Sequence, residues 1–281
     1  MAIPKSREGA KLLSNRVFKL LLLLATTVAF GGDSSARLTD TGFINRSITV
    51  GSETYRYQVY LPPDYTSKKK WPVIVYLHGT EAFGSDGLLQ TQGGLGDAIR
   101  KQADRFPCIV VFPQCRDKFR WVNDEMQERV LKALNQTVKE FNGDPQRRYL
   151  TGISMGGVGV LYIAAQHPGV FAAIVPIASR VVLAKLQSFA PLPEKVVSVI
   201  ESQDPYQATA SGLGKTPTWI FHGSADPVNP VTESRKIVEA LKAVGGKVKY
   251  TEYEGVGHVC WDKAYTEPEL LPWLFSQRLG K

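Results

Sequence analysis

The chain has 281 residues, 43% of them hydrophobic and 21% charged, with a formal net charge of +8. This composition excludes a disordered or low-complexity chain and fits a single globular domain with a sizeable core. The positive balance does not point to nucleic acid, because the basic residues are dispersed and the one tight run, Lys68-Lys69-Lys70, has no groove-reading motif beside it.

At the front, Lys5, Arg7, Lys11, Arg16 and Lys19 against Glu8 and Asp33 leave +3 over residues 1–36. An apolar run at 20–30 follows, then Ser34-Ser35-Ala36. A basic start, a short apolar centre and a small-x-small site predict a signal peptide cut after Ala36. The long basic region keeps an uncleaved anchor as the alternative. Beyond this segment no membrane insertion is expected, and the body of the protein, 37–281, is expected to be secreted or periplasmic. Export implies an oxidising compartment. The chain has three cysteines. Cys108 opens an apolar run and reads as part of a buried strand, whereas Cys115 and Cys260 fall in predicted loops near the site described below, where a disulfide is expected to join them.

Residues 31–42 read as a linker. Two β-rich runs, 44–50 and 55–61, flank Gly51-Ser52 and predict an antiparallel hairpin. After them the texture changes. Short apolar runs at 73–77, 108–112, 148–153, 172–177, 218–221 and 247–253 mostly lack alternation, as strands buried on both faces of a parallel sheet should. Helical patterns separate them. In 124–141, Met126, Val130, Leu134 and Val138 recur at i+4 with Phe141 beyond, one apolar stripe. In 231–244, Ile237, Val238, Leu241 and Val244 do the same. Thr266-Glu267-Pro268-Glu269 resembles a capping box, and Pro272 is expected to kink or restart the last helix. The alternation predicts an α/β fold, a doubly wound sheet with the hairpin at its front edge. Residues 179–216 separate two strands by more than a helix needs; 180–202 reads as partly helical and 203–215 as loop. Such an excursion at a ligand edge is either a lid or a surface insertion.

The sharpest local signal is Gly152-Ile153-Ser154-Met155-Gly156. A strand pattern precedes it and an apolar, small-residue helix follows, the context that the G-x-S-x-G nucleophile turn requires. The glycines let a tight turn pass close to neighbouring backbone. A serine hydroxyl needs a base beside it to attack at neutral pH, and the chain has only four histidines. His78 belongs to a His-Gly turn that precedes the serine. His167 lies at the far end of the helix that starts at the serine. His222 ends a strand just before Asp226. That leaves His258, in a glycine-rich loop after the last strand, as the base, with His222 structural. The acid that orients it is assigned to Asp226, at a strand's C-terminal end, with Asp262 and Asp204 as rivals. Backbone N–H groups of Met155 and Thr80 are the expected oxyanion donors, Gly79 and Glu81 being the neighbours of the latter. Trp121, Trp261 and Tyr206 are candidate substrate-pocket residues. No metal-ligand spacing, Walker-type loop or dinucleotide fingerprint is present, so no cofactor or metal is expected.

The segments Tyr76-Leu77-His78-Gly79, Tyr149 to Gly157, Phe221 to Val228 and Gly257-His258 resemble the esterase branch of the α/β-hydrolases. More narrowly, they resemble the secreted "predicted peptidase" group related to dienelactone hydrolases, feruloyl esterases and polyhydroxybutyrate depolymerases. The likeness covers roughly residues 45–280 and implies an α/β-hydrolase fold. It also implies ester hydrolysis through an acyl-enzyme, with Ser154, Asp226 and His258 on the matching motif positions. The substrate it suggests is a small-molecule or polysaccharide ester, such as a feruloyl or acetyl ester. The chain departs from the pattern at Thr80-Glu81-Ala82-Phe83-Gly84, where relatives carry Glu-Arg-Gly, and in the length of 179–216. Both departures bear on pocket shape. A serine peptidase using the same three residues, or a non-catalytic binding protein on this fold, are the alternative readings.

Overall fold

A computed structural model describes residues 40–183 and 187–280; the expected signal segment lies outside them. An eight-stranded sheet runs in the order β1-β2-β4-β3-β5-β6-β7-β8. The strands are β1 (Gly42–Val50), β2 (Glu53–Leu61), β3 (Trp71–Leu77), β4 (Ile109–Pro113), β5 (Gly143–Ile153), β6 (Ala173–Ile177), β7 (Thr218–Gly223) and β8 (Val248–Tyr253). The β1–β2 hairpin is antiparallel and β2 pairs antiparallel with β4, while β3 to β8 run parallel. This is the expected α/β-hydrolase architecture with its antiparallel front edge.

Alternation along the strands divides the core between two faces. In β3, Val73, Val75 and Leu77 join one cluster, and Ile74 and Tyr76 join the other. The first cluster is covered by α2 (Asp124–Glu140), α3 (Met155–Gln166), α5 (Pro205–Leu213) and α6 (Thr232–Ala243). The second is covered by α1 (Leu95–Lys101), α7 (Trp261–Thr266) and α8 (Leu270–Ser276). The stripe of Met126, Val130 and Leu134 on α2 is fully buried against the sheet.

The same division corrects the disulfide expectation. Cys108, Cys115 and Cys260 are all free and buried. Cys115 belongs to the first cluster and Cys260 to the second, so the sheet stands between the two thiols that loop position had suggested pairing.

Two further expectations differ from the structure. Within 203–215, expected to be loop, Pro205–Leu213 forms α5. Asp204 caps it by accepting from the N–H groups of Tyr206 (2.9 Å) and Gln207 (3.0 Å), with Pro205 in the first turn. The earlier half of this excursion contains α4 (Glu194–Ile200). At the C-terminus no capping box forms. Thr266 ends α7 and its hydroxyl bonds back to the Asp262 and Lys263 carbonyls, and α8 starts separately at Leu270. Pro272 falls in its first turn, where no N–H partner is lost. Among the described residues no helix is long and apolar enough to cross a membrane.

Candidate active site

The loops that leave the C-terminal ends of β3, β4, β5, β6, β7 and β8 gather at one rim of the sheet, where sites assemble in open parallel sheets. β5 ends at Ile153 and α3 begins at Met155, so a single residue, Ser154, makes the turn. Its backbone sits at φ +52°, ψ −117°, a conformation that costs a side-chain-bearing residue free energy and persists only when its surroundings enforce it. The Ser154 N–H is pinned to the Ile177 carbonyl at 3.0 Å. The turn presses α3 onto β3. A Cβ on Gly156 would stand 1.9 Å from the Leu77 carbonyl oxygen, and one on Gly152 would stand 2.7 Å from Gly156 backbone. Only hydrogen fits at either position.

Two more loops bring the partners. His258 Nε2 lies 2.9 Å from Ser154 Oγ, and its Nδ1 lies 2.7 Å from Asp226 Oδ2. A carboxylate only accepts, so Nδ1 carries the proton and the Nε2 lone pair faces the serine hydroxyl. Asp226 is buried. Its Oδ1 accepts the N–H groups of Val228 (2.8 Å) and Asn229 (2.9 Å). Burial by itself would raise this carboxyl's pKa, but the His258 hydrogen bond and these two backbone N–H groups outweigh it and hold the group below the ordinary value. The rival acids are placed elsewhere. Asp204 caps α5, and Asp262 lies exposed in α7.

His222 does more than fill space. It is completely buried, with Nε2 at 3.1 Å from Asp226 Oδ2 and 2.9 Å from the Asn229 carbonyl, and Nδ1 at 2.6 Å from Ser234 Oγ. The carbonyl can only accept, so Nε2 carries hydrogen and the serine hydroxyl donates to Nδ1. Burial keeps His222 neutral by lowering its pKa. Asp226 Oδ2 therefore takes hydrogen bonds from two imidazoles. Sequence elimination separated these histidines by position; the i, i+4 spacing of His222 and Asp226 was the signal that they touch.

His78 holds the loop after β3. Its Nδ1–H donates to the Gly79 carbonyl at 2.6 Å, and its Nε2 accepts the Cys115 N–H at 2.9 Å. Burial drives its pKa down to about 4, against a smaller opposing pull from the Gly79 carbonyl. Trp121 Nε1–H donates to the His78 carbonyl at 2.9 Å. The loop then enters a single 3-10 turn, Thr80–Ala82. Among the described residues, no acceptor takes the N–H of Thr80 or of Met155. Both residues line a cavity of about 260 Å³ together with Ser154, so the residues that carry two unspent donors and the hydroxyl border one space. This geometry can stabilise negative charge developing on an oxygen bound beside the serine.

The aromatic candidates fall differently. Trp121 is buried under the His78 turn, and Tyr206 on α5 donates its hydroxyl to Glu233 at 2.7 Å; neither lines the cavity. Each ring is taken up by local packing. Trp261 stands edge-on to His258 with ring centroids 5.6 Å apart and is likewise not among the cavity's walls. The walls that sequence reading missed include Arg120, Arg180, Leu183 and Phe189. Three of these belong to the 179–216 excursion, which therefore borders the site. Single residues in irregular loops leave no periodic trace. Among the described residues no cluster of three or more His, Cys, Asp or Glu could hold a metal ion.

Residues 49–262 match the model of a protein family described as "Putative esterase". Isoprenylcysteine alpha-carbonyl methylesterase ICME of Arabidopsis thaliana is 26% identical over 262 residues, covering 76% of this chain and 56% of that protein. Among solved structures, a thermostable esterase matches with TM-score 0.68 and 28% identity, over 84% of this chain and 63% of its own. A ferulic acid esterase matches with TM-score 0.62 and 19% identity, over 83% and 97%, a likeness of fold. The chain thus spans a little over half of the methylesterase it resembles.

Proposed function

The chain belongs to the esterase family, and from that premise we propose that it is a serine carboxylic-ester hydrolase working through an acyl-enzyme. Ser154 Oγ attacks the ester carbonyl as His258 Nε2 takes its proton. Asp226 keeps the imidazole in the required tautomer and stabilises its cationic form. The N–H groups of Met155 and Thr80 receive the oxyanion, each contributing roughly 3–4 kcal/mol to lowering the barrier. The imidazolium then protonates the leaving alkoxide. Water, activated by the same nitrogen, releases the acid and restores Ser154. No cofactor enters these steps.

The observation that carries this reading is the continuous relay, with 2.9 Å from Ser154 to His258 and 2.7 Å from His258 to Asp226. Feruloyl and acetyl esters of polysaccharides are the starting substrate panel that family resemblance suggests. Export, proposed from residues 1–36, would be checked by N-terminal sequencing of the mature protein. The direct test of the chemistry is Ser154→Ala measured on 4-nitrophenyl butyrate. Loss of turnover by roughly 10⁴-fold or more is expected, along with loss of fluorophosphonate labelling. A variant that turns over like its parent refutes the assignment.

A further inference from the structure

We infer that the cavity beside Ser154 is built for an acyl group that carries its own carboxylate, a half-ester of a dicarboxylic acid, with Arg180 as the group that recognises the anion. The inference rests on the esterase reading above and names its substrate class.

Arg180 leaves the end of β6 and lines the same cavity as Ser154, Thr80 and Met155. Among the described residues its guanidinium is aimed by two neutral acceptors. Nε–H donates to Asn229 Oδ1 at 2.5 Å and Nη2 donates to the Val228 carbonyl at 2.8 Å. Asn229 is itself buried and fixed, its side-chain amide donating to the Ala178 carbonyl at 2.6 Å and its N–H to Asp226 Oδ1. Among the described residues no carboxylate lies within ion-pairing distance of Arg180. The nearby Glu233 spends its oxygens on the N–H groups of Val181 and Val182 and on the Tyr206 hydroxyl. The result is a planar cation held in one orientation by dipoles, with no ion-pair partner among the described residues and donors to spare.

The rest of the cavity agrees in sign. A second cation, Arg120, forms part of its wall, and among the described residues none of those lining it is acidic. Met155, Val158, Leu183 and Phe189 supply apolar surface between the serine and the cations. An apolar stretch beside the reacting carbonyl and a fixed cation beyond it complement a short chain ending in an anion. Guanidinium and carboxylate make charge-assisted, two-pronged hydrogen bonds.

The same geometry assigns this ligand to the acyl side. The leaving oxygen must face His258 Nε2 to receive its proton, and neither His258 nor Trp261 lines the cavity. The alcohol therefore departs past the imidazole while the acyl group remains against Arg180.

The test compares mono-4-nitrophenyl glutarate with 4-nitrophenyl pentanoate, esters of matched length that differ in the terminal charge. For the parent enzyme kcat/KM should favour the glutarate by about tenfold, and the preference should shrink between 50 and 500 mM NaCl. Arg180→Met should collapse the ratio, and Arg180→Lys should recover part of it. Hydrolysis of pentanoate with no preference for glutarate, or an equal loss on both esters in Arg180→Met, overturns the inference while leaving the esterase reading intact. Cleavage of neither ester, with Ser154 inert to a fluorophosphonate, is a separate result that overturns the esterase reading and this inference with it. Should Arg180→Met fail to fold, Arg180→Gln takes its place and is read by the same ratio.

Discussion

The His78 imidazole makes a pH prediction whose size can be worked out. It is 1% exposed, packed against the rings of Trp121 and Phe83 at 5.0 and 6.3 Å, and locked neutral between a carbonyl and an N–H. Its pKa in the folded protein is about 4, against an ordinary 6.5. Between those values the unfolded chain binds a proton that the folded chain refuses, so stability falls as pH drops through that window and is complete above 6.5. At pH 5 the loss amounts to roughly 2 kcal/mol, approaching about 3 kcal/mol below pH 4. Protonation would also break the Cys115 N–H bond and loosen the loop that presents the Thr80 N–H. A His78→Gln variant removes the titrating group. Urea unfolding at pH 7.5 and 5.0 should therefore show the stability gap between parent and variant narrowing by roughly 2 kcal/mol at the lower pH. Parallel changes in the two proteins would refute the reasoning. So would a His78 NMR resonance titrating near 6.5 in the folded state.

Two substitutions probe the rim more locally. Thr80→Pro deletes one N–H at the first position of a 3-10 turn, after an extended Gly79 (φ −79°, ψ −165°), a place that accepts proline. The fold should survive and kcat should fall by about 10²–10³; a loss of only a few-fold would remove Thr80 from the oxyanion site. Gly156→Ala forces a methyl to within 1.9 Å of the Leu77 carbonyl oxygen. It should cost about 3 kcal/mol or more, read as a large drop in Tm, and an unchanged Tm would show that the turn is looser than described.

Much of this molecule was legible before its structure. The strands announced themselves because parallel strands are buried on both faces, and α2 did so because its stripe repeats at helical spacing. Ser154 was readable from its turn motif, His258 by elimination among four histidines, and Asp226 from its place at a strand's C-terminal end. What stayed hidden has physical causes too. The residues of α5 that it buries, Thr209, Ala210 and Leu213, are mostly small, which gives a faint stripe, and its defining feature is the Asp204 cap. The cysteines misled because two loops can both approach a site and still be divided by a sheet. Arg180 and Asn229 escaped notice because their significance lies in what they touch across about 50 positions of chain.

The Asp226 turn has a consequence for how this enzyme could change. Within four residues it steadies the imidazole base through Asp226 and aims Arg180 through Val228 and Asn229. If the proposed roles hold, reactivity and substrate choice both hang on one short stretch of backbone. A lineage shifting to neutral esters has an open route at Arg180 itself, whose loss leaves the carboxylate's own hydrogen bonds standing. Reshaping the turn beneath it would disturb proton transfer at the same stroke, so new specificities should accumulate in the 179–216 excursion while residues 226–229 stay fixed.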